Sequence, residues 1–216
     1  MERRLETELI AKGAEANLYL TEWYGQKVVL KRRVKKSYRL DVLDQKTRRF
    51  RTIHEAQLIH DAKVMGIPTP TIFTVDLADF TIVMEYISGS RLKETIDYMS
   101  KDSRSTICRI VGRQVGILHS GNIIHGDLTT SNMILRGNKV YFIDFGLSMY
   151  SSSTEDRGVD LHLMRRAFNS THHRYVDEYF NSVVAGYRDK VEDDESNDVI
   201  RKVREIEKRG RYFAER

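Results

Sequence analysis

The sequence predicts an α+β fold in two unequal parts, and three observations predict it. Before residue 88, short β-rich runs alternate with turn residues; a single long helical pattern interrupts them; and beyond about Ser103 the apolar spacing becomes helical, broken only by one hairpin. Leu9-Ile10-Ala11, Leu18-Tyr19-Leu20 and Val28-Val29-Leu30 read as strands, and Gly25 turns the chain between the last two. A helix follows to about Met65, with Ile53, Ala56, Ile59 and Ala62 spaced for one buried face and Gly66 as its stop signal. Two more strands, Thr71 to Val75 and Thr81 to Tyr86, come after the turn chemistry of Pro68 and Pro70.

In the second half, Ser103 is placed to cap a helix in which Ile107, Ile110, Val111 and Leu118 form an apolar stripe ending at Gly121. Met133-Ile134-Leu135 and Val140-Tyr141-Phe142-Ile143 flank a turn containing Gly137-Asn138, which predicts a hairpin. Helical patterns then run roughly from Asp156 to Phe168, His172 to Tyr187 and Asn197 to Lys208. The expected division is residues 1–87, residues 88–207 and a basic tail, 208–216.

With 216 residues, 40% of them hydrophobic, the chain is long enough to bury a substantial core. No stretch approaches the roughly 18 uninterrupted apolar residues of a membrane span, and Met1-Glu2-Arg3-Arg4-Leu5-Glu6 is too charged for a secretory signal, so a cytoplasmic protein without membrane attachment is expected. The single cysteine, Cys108, lies in a helical apolar pattern and reads as a buried side chain; one cysteine excludes an internal disulfide and a Cys-rich metal site. The net charge is +5, and the cations cluster at Lys31 to Lys36, Lys46 to Arg51 and Lys208 to Arg211. Such runs describe either a solvated face or a surface for a phosphate-rich partner.

The chemistry-bearing segment is Ile124-His125-Gly126-Asp127-Leu128-Thr129-Thr130-Ser131-Asn132, followed after the hairpin by Ile143-Asp144-Phe145-Gly146. One such aspartate alone would be a cap or a surface charge. In this order, the set matches what phosphoryl transfer asks for: a carboxylate near the attacking hydroxyl or water, and oxygen ligands that hold Mg²⁺ on the phosphates. It resembles the catalytic loop and metal-binding motif of protein kinases, and implies a minimal two-lobed protein-kinase-like fold that uses ATP and Mg²⁺. By that resemblance Asp127 is the catalytic carboxylate, and Asn132 and Asp144 are the metal ligands. Lys31, at the end of an apolar strand, matches the phosphate-contacting lysine and pairs with Glu55 on the following helix. Ile10, Gly13, Ala14, Glu15, Ala16 and Leu18 form the phosphate loop and its flanks, while Met84, Glu85 and Ile87 fall at the interlobe hinge where backbone groups meet adenine.

Several positions depart from that pattern. Lys12-Gly13-Ala14-Glu15-Ala16-Asn17 keeps one glycine where typical kinases have three. Gly126 replaces the arginine before the catalytic aspartate, and Thr129 stands where Ser/Thr kinases carry a lysine. The segment after Gly146 is short and lacks an Ala-Pro-Glu sequence, so a peptide-substrate platform is not expected. Together with Asp144-Phe145-Gly146-Leu147-Ser148 and Glu155-Asp156-Arg157-Gly158-Val159-Asp160-Leu161, these departures resemble the small atypical kinase subunit of the KEOPS (EKC) complex, over about Leu9 to Arg211. The resemblance implies ATP hydrolysis in support of threonylcarbamoyladenosine modification of tRNA, with weak Ser/Thr autophosphorylation. It also implies partners: the universal tRNA-modifying ATPase subunit, a small regulatory subunit on the N-lobe, and tRNA through the complex. Asp160 either braces the catalytic loop or lies on a helix surface. The rivals are a stand-alone RIO-like kinase, whose metal motif usually lacks the Phe-Gly found at Phe145-Gly146, and a nucleotide-binding scaffold without turnover.

Overall fold

The computed structural model describes residues 7–214. Strands β1 (Glu8–Lys12), β2 (Ala16–Trp23), β3 (Gln26–Arg33), β4 (Ile72–Asp76) and β5 (Thr81–Glu85) form one antiparallel sheet in the order β1-β2-β3-β5-β4. The β2–β3 turn is Tyr24-Gly25, both at positive φ (48° and 77°), the conformation that lets a two-residue hairpin follow the strand twist. Helix α1 (Asp41–Val64) packs across this sheet. Its buried line is Thr52, Glu55, Ala56, Ile59 and Ala62. Ile53, expected on that line, is 45% exposed instead. The helical period places Thr52 and Glu55 on the inner face, so polar groups occupy a stretch that apolar spacing assigns to core.

The second part begins with β6 (Ser90–Arg91), α2 (Leu92–Thr95) and a 3₁₀ turn at Ile96–Tyr98, followed by α3 (Lys101–Ser120). The α3 cap is Ser100, not Ser103: the Ser100 side chain accepts from the Ser103 N–H at 3.3 Å, which starts the helix three residues earlier. Then come β7 (Ile123–Ile124), β8 (Met133–Arg136), β9 (Lys139–Phe142), β10 (Met149–Tyr150), α4 (Thr154–Thr171), α5 (Val176–Arg188) and α6 (Asp193–Ala214). The β8–β9 hairpin takes β6 as a third strand. The β7–β10 pair, absent from the sequence reading because each strand is two residues long, ties the segment after Gly146 back to the chain before the catalytic loop. Helix α6 runs through residue 208 without a break, so the expected tail is helical over 208–214, its last two positions lying outside the described residues, and Arg209 pairs with Glu155 at 3.0 Å and with Glu205 at 3.7 Å.

The main core lies in the second part. Phe142, Phe145, Leu118, Leu161, Tyr179 and Tyr187 are all fully buried there, and Leu58, Ile59 and Ala62 from α1 join it, so α1 belongs to both parts. A smaller cluster of Ala56, Ile82 and Met84 seals α1 against the sheet. Cys108 is buried, and burial pushes its thiol up to about 12, which leaves it an unreactive core side chain. No described helix is long and apolar enough to cross a membrane.

Helices α3 and α5 approach so closely that a Cβ on Gly112 would lie 1.9 Å from Val183 O, and one on Gly186 2.0 Å from Arg109 O. Gly112→Ala is therefore expected to destabilise the fold by about 2–3 kcal/mol through forced separation of the two helices. Urea unfolding checks this; a midpoint equal to wild type would show that the helices separate without cost.

Candidate active site

Every residue singled out for nucleotide chemistry lines one cavity of about 650 Å³ between the sheet and the helical part. Ile10, Gly13, Ala14, Glu15, Ala16 and Leu18 come from the β1–β2 turn and its flanks, Met84, Glu85 and Ile87 from the end of β5, and Asp127, Asn132 and Asp144 from the opposite wall. Lys31 and Glu55 sit at its inner end.

Lys31 points inward from β3 because strand alternation puts it on the face that α1 covers. Its Nζ donates to Glu55 Oε1 at 2.6 Å and to Asp144 Oδ1 at 2.7 Å. Burial opposes the Lys31 charge, but the Glu55 and Asp144 carboxylates outweigh it and hold the ammonium above its ordinary pKa. For Asp144, burial raises and Lys31 lowers, with a net shift below the usual carboxylate value. Glu55 is 1% exposed and serves a second cation: Arg33 Nη2 donates to Glu55 Oε2 at 2.5 Å. Arg33 also lines the cavity and was missed in the sequence; its place two residues beyond Lys31 on the same strand, hence on the same face, was the available signal.

The β1–β2 turn is held from outside. Glu15 Oε2 accepts from Arg51 Nη1 on α1 at 2.6 Å, Arg39 lies 3.8 Å from Glu15 Oε1, and Lys36 Nζ bonds Ala14 O. Gly13 is the one position where no side chain fits, since a Cβ there would stand 2.8 Å from Ala16 O. Ion pairs thus steady a loop that has given up two of the usual glycines.

The loop from His125 to Asn132 is tied at both ends. Asn132 Nδ2 donates to Asp127 Oδ2 at 2.8 Å and to Asp127 O at 3.0 Å, and the Asp127 N–H donates to His125 Nδ1 at 3.3 Å. Asp160, on α4, is 1% exposed and accepts from the His125 N–H at 2.9 Å, the Gly126 N–H at 2.8 Å and His119 Nε2 at 3.2 Å. Of the two readings left open for Asp160, the brace of the loop is the one found. Burial raises its pKa, but the His119 and backbone hydrogen bonds pull it down further, so it is an anion in the fold. Burial lowers the pKa of His125, which favours the neutral ring that its role as acceptor needs.

Gly126 has φ +80°, and a Cβ there would meet Leu147 O at 2.4 Å. An arginine is excluded by backbone geometry at this point. In its place, the following segment is anchored directly: Ser148 Oγ donates to His125 O at 2.7 Å, and Met149 and Tyr150 pair with Ile124 and Ile123.

Among the described residues, no group of three or more His, Cys, Asp or Glu could hold a metal unaided. The donor set at the cavity is instead one carboxylate, Asp144, and the Asn132 carboxamide oxygen left over once its nitrogen is engaged with Asp127. Two hard oxygen donors suit a Mg²⁺ ion that takes its remaining ligands from phosphates and water.

A two-lobed protein kinase is the class that this cleft and fold define. A family model described as "Protein kinase domain" matches residues 7–176. The chain is 48% identical to the KEOPS complex subunit Bud32 of Pyrococcus abyssi, over 95% of this chain and 96% of that one. It is 42% identical, over 96% of its length, to a probable bifunctional tRNA threonylcarbamoyladenosine biosynthesis protein of Methanothermobacter thermautotrophicus, of which it spans 37%. Among solved structures, it resembles the Rio2 kinase of Chaetomium thermophilum in a complex with ADP, Mg²⁺ and phosphoaspartate, with a TM-score of 0.64 at 15% identity over 95% of this chain and 72% of that one, a likeness of fold. The chain belongs to the protein kinase domain family and, within it, to the Bud32 family.

Asp160→Asn leaves one of the two loop N–H groups facing an amide NH₂, and is expected to lower stability by about 3 kcal/mol at pH 7. Because the folded pKa of Asp160 lies below its ordinary value of 3.8, its contribution is present at neutral pH and lost only as the pH falls below that value. Stability curves of wild type and variant should therefore run parallel above that value and draw together only as the pH falls below it; curves that stay parallel down to acid unfolding would show that Asp160 does not brace the loop as an anion.

Proposed function

We propose that this protein is an atypical Mg·ATP-dependent kinase and ATPase subunit of a KEOPS complex, supporting threonylcarbamoyladenosine modification of tRNA, with weak Ser/Thr autophosphorylation. The observation that carries the ATP chemistry is the joining of Lys31 and Glu55, within 2.7 Å contacts, to Asp144 on the wall that also carries Asp127 and Asn132. The tRNA role rests on the family and on the name borne by the bifunctional relative.

Adenine would lie between Ile10, Leu18 and Met84, with the Ile87 backbone at its edge. The Glu85 N–H is taken by Thr71 O at 2.9 Å, so a contact from Glu85 falls to its carbonyl. Lys31, aimed by Glu55, would meet the α- and β-phosphates; the geometry requires its bond to Asp144 to loosen as it does so. Asp144 and the Asn132 oxygen would hold Mg²⁺, which neutralises developing phosphate charge. Asp127 would orient the attacking hydroxyl or water and accept its proton. Its carboxylate, kept in place by Asn132 Nδ2, retains one oxygen for that purpose. The direct tie of Ser148 to His125 supports a loop that reaches its working form without phosphorylation. The partners proposed are the tRNA-modifying ATPase subunit and the small N-lobe subunit, with tRNA reached through the complex. The cytoplasm is the proposed compartment.

Asp127→Ala is expected to lower ATP turnover about a thousandfold or more with little change in nucleotide affinity, whereas Asp144→Ala should weaken Mg·ATP binding as well. Single-turnover hydrolysis and nucleotide titration check both; wild-type turnover in Asp127→Ala would overturn the assignment. Replacing Ser151, Ser152, Ser153 and Thr154 with alanine, and keeping Ser148 because its hydroxyl anchors the segment, tests the loop: turnover staying within about fivefold of wild type is expected, and loss by orders of magnitude would show that a modified segment is needed. Truncation after Lys208 should spare nucleotide binding and reduce tRNA modification by the reconstituted complex; full modification by the truncated chain would remove the tail from the proposed function.

A further inference from the structure

Outside the groups that face the cavity, one polar chain, buried at His172 and Thr130 and half-buried at Asp97, reaches the catalytic loop from the far side. His172, the cap residue just beyond α4, is 1% exposed. Its Nε2 lies 2.8 Å from Thr130 Oγ1, and its Nδ1 lies 2.8 Å from Asp97 Oδ1. The same Asp97 oxygen accepts from the Tyr179 hydroxyl at 2.7 Å. Burial and the neighbouring Asp97 push the Tyr179 hydroxyl well up, so it remains a donor. Asp97 can only accept, so it takes the Nδ1–H of His172, and Nε2 meets the Thr130 hydroxyl, which can either donate or accept. Phe168 and Tyr179 enclose the ring edge-on at 6.3 and 5.7 Å, which fixes its plane.

Thr130 is 3% exposed and stands between the two working positions of the loop, three residues after Asp127 and two before Asn132. It opens the 3₁₀ turn Thr130–Asn132, whose backbone closes through Asn132 N to Thr129 O at 3.0 Å. Asp160 holds the loop at His125 and Gly126, and Asn132 ties it to Asp127. Neither restrains the Thr130 turn against the helical core. A polar chain of this kind carries a desolvation cost that an apolar contact between α4 and the loop would avoid, which makes its directional character the thing to explain.

We propose that Asp97, His172 and Thr130 form a positioning chain that sets the 3₁₀ turn and so holds the Asn132 carboxamide and, through it, the Asp127 carboxylate in register for phosphoryl transfer. The inference rests on the reading of Asp127 and Asn132 given above. None of the three residues touches substrate; they act through Asn132. A misplacement of that amide by a fraction of an ångström would lower the rate of the chemical step while leaving the adenine and phosphate-loop contacts intact.

The test uses the full chain with Mg·ATP. Thr130→Val, nearly isosteric, is expected to lower kcat for ATP turnover about tenfold or more with KM for ATP within about twofold of wild type, and Thr130→Ser, which keeps the hydroxyl, to restore most of kcat. His172→Gln should lower kcat in the same way, and the double variant should be no slower than the slower single one, because both substitutions break one chain. Melting temperatures are measured alongside, since a merely structural contact predicts that kcat follows stability and that serine and valine behave alike. Asp127→Asn runs in parallel. If it is inactive while Thr130→Val keeps wild-type kcat, or if the Thr130 and His172 effects multiply, the positioning chain is wrong and the site reading survives. If Asp127→Asn is itself active, both fall. Should Thr130→Val fail to fold, the kcat and KM of His172→Gln decide: an unchanged kcat overturns the proposal.

Discussion

The buried Glu55 carboxylate is the constraint on which the rest of the site depends. It sits on the inner face of α1, nearly removed from water, and is tolerable there only because Lys31 and Arg33 reach it from alternate positions of β3. That arrangement fixes the rotation of α1 against the sheet. It also aims Lys31 at the cavity, where the second contact of the ammonium, Asp144, belongs to the opposite wall. The two walls of the cleft are therefore joined by one lysine, and the cations that neutralise Glu55 prepare the place where phosphate charge would arrive.

A second constraint works on the catalytic loop. Asp160 accepts from two consecutive backbone N–H groups, and Gly126 can adopt its positive φ and meet Leu147 only because it has no side chain. The missing arginine and the directly anchored segment after Gly146 are two sides of one solution. Where a cation would hold a phosphorylated loop in place, this chain uses the Ser148 hydroxyl and a two-residue strand pair. Stiffening by contact recurs at the phosphate loop, where Glu15, Arg51, Arg39 and Lys36 tie a glycine-poor turn to α1 and to the segment between β3 and α1. Both devices trade conformational freedom for a site already near its working form.

Much of the fold and most of the site could be read without coordinates. The five strands, the long helix, the catalytic hairpin and the later helices declare themselves through local periodicity and turn residues, which depend on near neighbours in the chain. Lys31, Glu55, Asp127, Asn132 and Asp144 stand out because phosphoryl transfer asks for such groups in that order, and the fold brings all of them to one cavity. Local pattern failed where a polar group sits on an inner face: Ile53 was placed in the core, while Thr52 and Glu55 occupy it. The Ser100 cap, the unbroken course of α6 and the β7–β10 pair depend on hydrogen bonds or on packing that spacing does not encode.

By itself, the sequence determined the strands, the helices and which residues stand at the spacing of the kinase motifs, because residue identity at a given spacing is a local property of the chain. Tertiary structure alone decided how those residues are held. Whether Asp160 braces the loop or faces solvent depends on the rotation of α4, and the second cation on Glu55 depends on which face of β3 meets α1. The Asp97–His172–Thr130 chain joins residues 75 and 42 positions apart, separations over which no spacing rule operates. Such contacts exist only once the helices have packed, since a hydrogen bond at 2.8 Å requires orientations that the global fold supplies and the local sequence does not.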